Sequence, residues 1–203
     1  MDHRTLIRRG AARRWLEALP LGNGRLAAMA WGDPEHARFS LNESTLWSGA
    51  PDVHQDRLVD QVTARDALAR ARKLFSQGQV PAAEQELSVL GMTWSQAYLP
   101  VGDLVVARGA ASEHTSEPTR ELDLDTGVHR VIEPGGAEHL SLISAADEVL
   151  VHAFPLAPQQ TLEVTFTSPL REITRTASAD GLDVLLRAPS DAPPGHAPGA
   201  PPV

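Results

Sequence analysis

Residues 26–41 read Leu-Ala-Ala-Met-Ala-Trp-Gly-Asp-Pro-Glu-His-Ala-Arg-Phe-Ser-Leu, and this stretch decides the fold. The apolar run from Leu26 to Trp31 is typical of a buried strand, and Asp33-Pro-Glu35 is a turn sequence. Every second residue from Ala37 to Leu41 is apolar, as in a strand with one buried face. We therefore predict a β-hairpin in this stretch.

The sequence after position 102 is predicted to be almost entirely β. Turn sequences such as Asp125-Thr-Gly127 separate its short strands, and the clearest strand places Leu162, Val164 and Phe166 on one face. The candidate strands are residues 104–107, 120–124, 128–132, 138–144, 148–154, 161–167, 172–176 and 182–187. Regular short strands of this kind favour a mainly β fold, an antiparallel β-sandwich that forms part of a large super-sandwich.

Residues 64–90 change to a helical period and are predicted to form a helical hairpin inserted into the β domain. Thr63 and Asp66 resemble a capping box at the start of the first helix, and Gly78 lies where that helix is expected to end. Pro81 is a favourable first-turn residue for the second helix.

We predict three segments along the chain. Residues 1–14 form a basic N-terminal arm, and residues 15–188 form the β-sandwich domain with its helical insertion at about 64–90. Residues 189–203 are rich in proline and glycine, which indicates a flexible tail.

Composition argues against several classes of function. The formal net charge of -8 opposes binding to nucleic acid or to an anionic membrane. No apolar run approaches the roughly 20 residues of a membrane span. The absence of cysteine removes disulfides, thiolate metal sites and a cysteine nucleophile. No signal peptide is recognisable, so we expect a cytoplasmic protein; the sequence does not indicate an oligomeric state.

Known cofactor and metal motifs are not found in the sequence. His129, Glu133 and His139 flank one predicted hairpin and could meet across it, but a surface hairpin with scattered polar residues is the more common arrangement. Gly22-Asn-Gly-Arg25 fits neither the Walker pattern nor the dinucleotide pattern. We predict no cofactor and no metal.

Two loop segments carry residue types that a carbohydrate site uses. They are Trp15-Leu-Glu-Ala-Leu-Pro-Leu-Gly-Asn-Gly-Arg-Leu26 and, one strand later, Leu41-Asn-Glu-Ser-Thr-Leu-Trp-Ser-Gly-Ala-Pro51. An amide can bond two sugar hydroxyls, and a tryptophan face can cover the apolar side of a pyranose. The candidate substrate-binding residues are Asn23, Arg25, Asn42, Glu43 and Trp47.

Other interpretations of these loops remain open. Trp15, Trp31 and Trp47 could be core residues, sugar platforms or a mixture of the two. Trp47 is the strongest platform candidate because it lies in a Ser/Gly/Pro-rich loop near Glu43. Both loops could also serve only to satisfy the backbone of their turns.

The same two segments resemble the start of glycoside hydrolase family 95, which comprises α-L-fucosidases and some related α-L-galactosidases. The resemblance continues through Tyr98-Leu-Pro-Val-Gly-Asp-Leu104, Arg120-Glu-Leu-Asp-Leu-Asp-Thr126 and Ser168-Pro-Leu170, and it covers roughly residues 15–190. It implies that this chain corresponds to the N-terminal β-sandwich domain of such an enzyme.

The resemblance also implies inverting hydrolysis, in which a Glu protonates the leaving oxygen and an Asp, assisted by two Asn side chains, activates water. In the family these groups belong to an (α/α)6 barrel, which has no counterpart in this sequence. The implied partner is a fucosylated or related oligosaccharide bound through that absent barrel, and the chain carries no catalytic residue. Two alternatives stay open: a stand-alone carbohydrate-binding or interaction module, and a non-functional truncated gene product.

Overall fold

The computed structural model describes residues 4–49, 59–90, 96–109, 117–158 and 160–190. The chain divides into two units. The first unit comprises Met1–Leu46 and Leu99–Arg187, and the second comprises Trp47–Tyr98 and Ala188–Val203.

The first unit is built from antiparallel strands. In its described residues they are β1 (Thr5–Arg9), β2 (Leu19–Gly22), β3 (Leu26–Ala30), β4 (His36–Glu43), β5 (Gly102–Arg108), β6 (Thr119–Asp123), β7 (His129–Ile132), β8 (Glu138–Ile143), β9 (Leu150–Ala153), β10 (Leu162–Thr167), β11 (Arg171–Ala177) and β12 (Leu182–Arg187). One sheet has the order β1-β6-β7-β8-β9, the other has the order β10-β5-β4-β3-β2, and β11 pairs with β12. The mainly β antiparallel fold is thus confirmed.

The two larger sheets enclose an apolar core. Leu19, Ala28 and Phe39 from the second sheet lie in one buried cluster with Leu122 of β6. The predicted hairpin is confirmed as β3 and β4, which pair from Leu26 with Glu43 to Ala30 with Phe39. Since alternate residues of a strand face opposite sides, this register places one set of β4 side chains in the core and the other on the outer face of the sheet.

Two strands were missed by the sequence analysis. β1 lies inside the segment predicted to be an arm, but it pairs with β6 along its whole length. Four of its five residues are exposed, so no buried face appears in its sequence. β2 contains Pro20 and Gly22, which normally argue against a strand, yet β2 lies at the edge of its sheet, where a proline is tolerated.

The predicted helical hairpin is confirmed in the second unit. Its helices are α1 (Gln61–Ser76) and α2 (Val80–Leu87). The predicted capping box is wrong, because the Asp60 side chain accepts hydrogen bonds from the backbone N–H groups of Val62 and Thr63 at 2.9 and 3.0 Å. Asp60 therefore caps α1, which begins three residues earlier than predicted.

Two sequence predictions concern the C-terminal tail and the absence of a membrane-spanning segment. Of the predicted tail, only residues 189 and 190 fall within the described part of the chain, so its flexibility stays a prediction. Among the described residues, neither helix has the length and apolarity that crossing a bilayer requires.

A buried ion pair joins the two sheets of the first unit. The Nη2 group of Arg108, at the end of β5, donates to Glu133 Oε1 at 2.9 Å, and both side chains are less than one-tenth exposed. The same oxygen lies 2.5 Å from His139 Nε2 on β8. Burial by itself raises the pKa of Glu133, but the bond from His139 and the Arg108 charge outweigh it and hold that pKa below its usual value. Glu133 is therefore ionised, with its charge compensated by partners on both sheets.

His129 of β7 is buried without a hydrogen-bond partner for either ring nitrogen among the described residues. Burial, followed by the charges of Arg120 and His152, lowers its pKa to about 4. A cavity of about 10 Å³ lies beside it, at the lower limit for one water molecule. The surface hairpin favoured by the sequence analysis is wrong, because His129, Glu133 and His139 are all buried, and of the three only Glu133 and His139 bond each other.

Gly32 gives the buried Arg120 its space. Arg120 is 2% exposed, and its guanidinium donates to the carbonyl oxygens of Gly10 and Glu17 at 2.6 and 3.0 Å. A Cβ atom on Gly32 would lie 2.1 Å from Arg120 Cδ, and the backbone there has a φ of +73°. Both the close approach and the left-handed conformation therefore require glycine.

His129 makes the fold sensitive to acid. In the unfolded chain its imidazole has a pKa of about 6.5, whereas in the folded protein the pKa is about 4. Between these values the unfolded state binds more protons, so the free energy of unfolding falls as the pH drops. We expect His129 to lower the free energy of unfolding by about 2 kcal/mol when the pH falls from 7 to 5.

Urea denaturation at both pH values measures this effect. His129→Leu should reduce the loss of stability, and His152, with its pKa also at about 4, should supply part of the remainder. His36→Leu is the matched control because that side chain is 65% exposed. Equal pH dependence in His129→Leu and the unchanged protein would contradict the assignment.

Candidate functional site

Asn23 is fixed in the turn between β2 and β3. Its Oδ1 atom accepts hydrogen bonds from the backbone N–H groups of Arg25 and Leu26 at 3.0 and 2.8 Å. Its Nδ2 atom donates to the carbonyl oxygen of Ser144 at 2.9 Å. An amide of this type has two donor hydrogens and one oxygen with two lone pairs, so Asn23 keeps one N–H group for a ligand.

Arg25 lies between two carboxylates. Its Nε atom is 3.1 Å from Glu43 Oε1, and its Nη1 atom is 2.7 Å from Glu148 Oε2. Glu43 also accepts hydrogen bonds from the Thr45 hydroxyl at 2.6 Å and the Thr45 backbone N–H at 2.8 Å. The Thr45 hydroxyl above all, with its N–H group and Arg25, holds the pKa of Glu43 below its usual value. Glu43 is thus an ionised acceptor and carries no proton to donate at neutral pH.

Asn42 bonds the backbone of Glu43, and Trp47 belongs to the second unit. Asn42 Oδ1 accepts a hydrogen bond from the Glu43 backbone N–H at 2.9 Å. Trp47 belongs to the second unit, where its ring packs on Tyr98 with 4.9 Å between centroids and an interplanar angle of 56°. Trp47 is still 43% exposed, so part of its ring is accessible. Among the five predicted residues, direct side-chain contact joins Arg25 and Glu43.

The chemistry available at this site is binding rather than proton transfer. Its carboxylates are paired with Arg25, and its amides bond the backbone of the turn. No group of three or more His, Asp or Glu side chains suited to a metal ion occurs in the described ranges. Such an arrangement can accept and donate hydrogen bonds to neutral hydroxyl groups.

A second candidate surface, missed by the sequence analysis, is the outer-face cleft. This cleft lies on the outer side of the second sheet, has a volume of about 720 Å³, and contains Trp15, Trp31, Arg38, Asn42 and Asp103. The signal in the sequence was the set of polar residues that alternate with the apolar residues of β4. The hairpin prediction used only the apolar residues. Asp103 follows 65 residues after Arg38, so the pattern alone does not join them.

Asn23 has a structural role that mutation can measure. Asn23→Ala removes three hydrogen bonds to backbone groups and should lower the free energy of unfolding by about 1–2 kcal/mol in urea denaturation. The control is Arg25→Gln, whose denaturation midpoint should stay close to that of the unchanged protein because exposed ion pairs contribute little. A midpoint for Asn23→Ala as high as that of the control would show that the turn does not need the amide.

Comparisons with known proteins identify the family. Residues 6–200 match the family model described as glycosyl hydrolase family 65, N-terminal domain. Alpha-L-fucosidase 2 of Arabidopsis thaliana is 31% identical over 174 residues, which are 82% of this chain and 20% of that protein. The chain therefore spans about one fifth of the length of this curated relative.

The relative confirms the resemblance to α-L-fucosidases, although the matched domain family bears the number 65 rather than 95. The family match begins within β1 and extends beyond β12, so it includes the strands of both larger sheets. The chain belongs to the family of glycosyl hydrolase family 65 N-terminal domains.

Proposed function

We propose that this chain serves as the N-terminal domain of an α-L-fucosidase-like glycoside hydrolase, in which other sequence supplies the catalytic domain. The observation that supports this proposal is the 31% identity between 82% of this chain and 20% of the alpha-L-fucosidase. The reaction assigned to the whole enzyme is inverting hydrolysis of terminal α-L-fucosyl or related linkages. The domain itself supports the catalytic domain and is inactive alone.

The protonation states of the carboxylates support inactivity. Inverting hydrolysis needs one carboxylic acid that holds its proton until the glycosidic oxygen takes it, and one carboxylate that activates water. In the candidate site, Glu43 has a lowered pKa and is paired with Arg25. Asp103, in the outer-face cleft, also has a lowered pKa. Neither group has the raised pKa of a general acid.

The second part of the proposal is that the five candidate residues contact the substrate at the rim of its cleft. Asn23 retains one N–H group, and Trp47 retains exposed ring surface. Arg25 and Glu43 hold each other in one orientation, which lowers the entropic cost of bonding a sugar hydroxyl. These observations support binding without requiring that any of these residues take part in the chemistry.

The rim role can be tested in the full-length Arabidopsis relative at the positions aligned with Glu43 and Trp47. Changes to Gln and Ala, respectively, should lower kcat/KM for an aryl α-L-fucoside about tenfold, since each removes one contact with the sugar. A change at the position aligned with Val62, which is 67% exposed on α1, is the control. Unchanged kcat/KM together with normal thermal melting would remove the rim role and leave only turn stabilisation.

The domain role can be tested with a chimera. This chain should show no hydrolysis of an aryl α-L-fucoside alone, but it should restore activity when it replaces the matching segment of the Arabidopsis relative. The relative without that segment is the control and should be inactive. Cleavage by the isolated chain, or a folded chimera without activity, would contradict the proposal.

A further inference from the structure

The outer-face cleft combines exposed aromatic surface with a fixed polar floor. Its volume of about 720 Å³ lies within the range of about 300–1,000 Å³ that is typical of small-ligand sites. All of its described lining residues belong to the first unit. It holds only Asn42 among the residues assigned above to the rim.

Two tryptophans supply the aromatic walls. Trp31 is held in one orientation because its Nε1 atom donates to Ser40 Oγ at 2.9 Å and the Arg38 guanidinium lies 4.0 Å from its ring centroid. Trp15 is 56% exposed, an unusual value for a large apolar ring. A ring that is accessible in this way can cover the C–H face of a pyranose.

The polar floor is an ion pair whose two charges cancel. Arg38 Nη2 donates to Asp103 Oδ2 at 2.8 Å, and Ser40 Oγ donates to Asp103 Oδ1 at 2.6 Å. Burial raises the pKa of Asp103, but the hydrogen bonds from Arg38 and Ser40 outweigh it and the pKa lies below its usual value. The pair is therefore charged on both sides, and its remaining N–H groups and lone pairs are fixed in direction.

These properties select the class of ligand. An anion gains little here because Asp103 already compensates Arg38 and the chain as a whole carries a charge of -8. A purely apolar ligand would remove water from the exposed part of the ion pair, where Arg38 is 40% and Asp103 31% exposed, without replacing the lost hydrogen bonds. A neutral ring with one C–H face and an edge of hydroxyl groups can pack on the tryptophans and form hydrogen bonds with the ion pair.

We propose that the outer-face cleft binds a neutral pyranose, which packs on Trp15 while its hydroxyl groups bond the Arg38–Asp103 pair and the Asn42 amide. The sugar class rests on the proposed function, whereas the location of binding goes beyond it. The cleft thereby gives this domain a carbohydrate contact of its own, independent of any catalytic group.

Titration of the complete 203-residue chain tests the proposal. The probes are L-fucose, methyl α-L-fucopyranoside and methyl β-D-glucopyranoside, followed by calorimetry and by the NMR signals of the indole N–H groups. At least one probe should bind with a Kd in the millimolar range and should shift the Trp15 and Trp31 signals.

Variants locate the binding in the cleft. Trp15→Ala and Asp103→Asn should each raise the Kd about fivefold or more, because each removes one part of the contact. Leu16→Ala is the matched control, since Leu16 is 84% exposed beside Trp15 and does not line the cleft. Far-UV circular dichroism and Tm confirm folding, and Trp15→Ala puts folding least at risk because its ring is largely exposed.

Absence of saturable binding for all three sugars would overturn the proposal, as would a Kd that Trp15→Ala and Asp103→Asn leave unchanged. If the sugars fail while the Trp15 signal shifts on addition of the catalytic part of the relative, the cleft is a domain interface and the proposal is wrong. Sugar binding by the isolated chain needs no hydrolysis, so its failure is distinct from failure of the chimera.

Discussion

The alternation of β4 between two environments is the constraint on which the rest of the first unit depends. Ala37 and Phe39 enter the core, whereas Arg38 and Ser40 face the opposite side of the sheet. β4 is the central strand of its sheet, with β3 and β5 on either side. A shift of its register by one residue would place a guanidinium in the core and a phenyl ring in the cleft. The same register therefore determines both what stabilises the domain and what it presents to a ligand.

The buried ion pair supplies a directional restraint that the apolar core lacks. Contacts among alanine and leucine side chains depend weakly on orientation, so two sheets held only by such contacts tolerate small displacements. Arg108 reaches from β5 to Glu133, and His139 holds that carboxylate from the other side. Charged hydrogen bonds of this kind are short and angle-dependent. They fix the sheet that contains β4 and β5 in its position relative to the other sheet.

Local patterns predicted most of the fold, and their failures have physical causes. The β3–β4 hairpin, the later strands and the helical hairpin each have a periodicity visible within ten or so residues. β1 has no buried face, and β2 contains Pro20 and Gly22 at positions that only an edge strand accepts. For the site, the sequence left open whether Asn23 binds a ligand or satisfies the backbone of its turn, and the structure shows the backbone bonds. Arg38 and Asp103 meet only after the sheet has formed.

The close approach of Gly32 and Arg120 has an evolutionary consequence. Because Arg120 occupies the space that any side chain at position 32 would need, and the backbone there has a φ of +73°, position 32 cannot change while the arginine stays. A lineage that acquires a side chain at position 32 must first shorten the arginine, which leaves the carbonyl groups of Gly10 and Glu17 without their donor. The turn between β3 and β4 and a position on β6 are thereby linked in one direction: members of this domain family with arginine at position 120 should keep glycine at position 32.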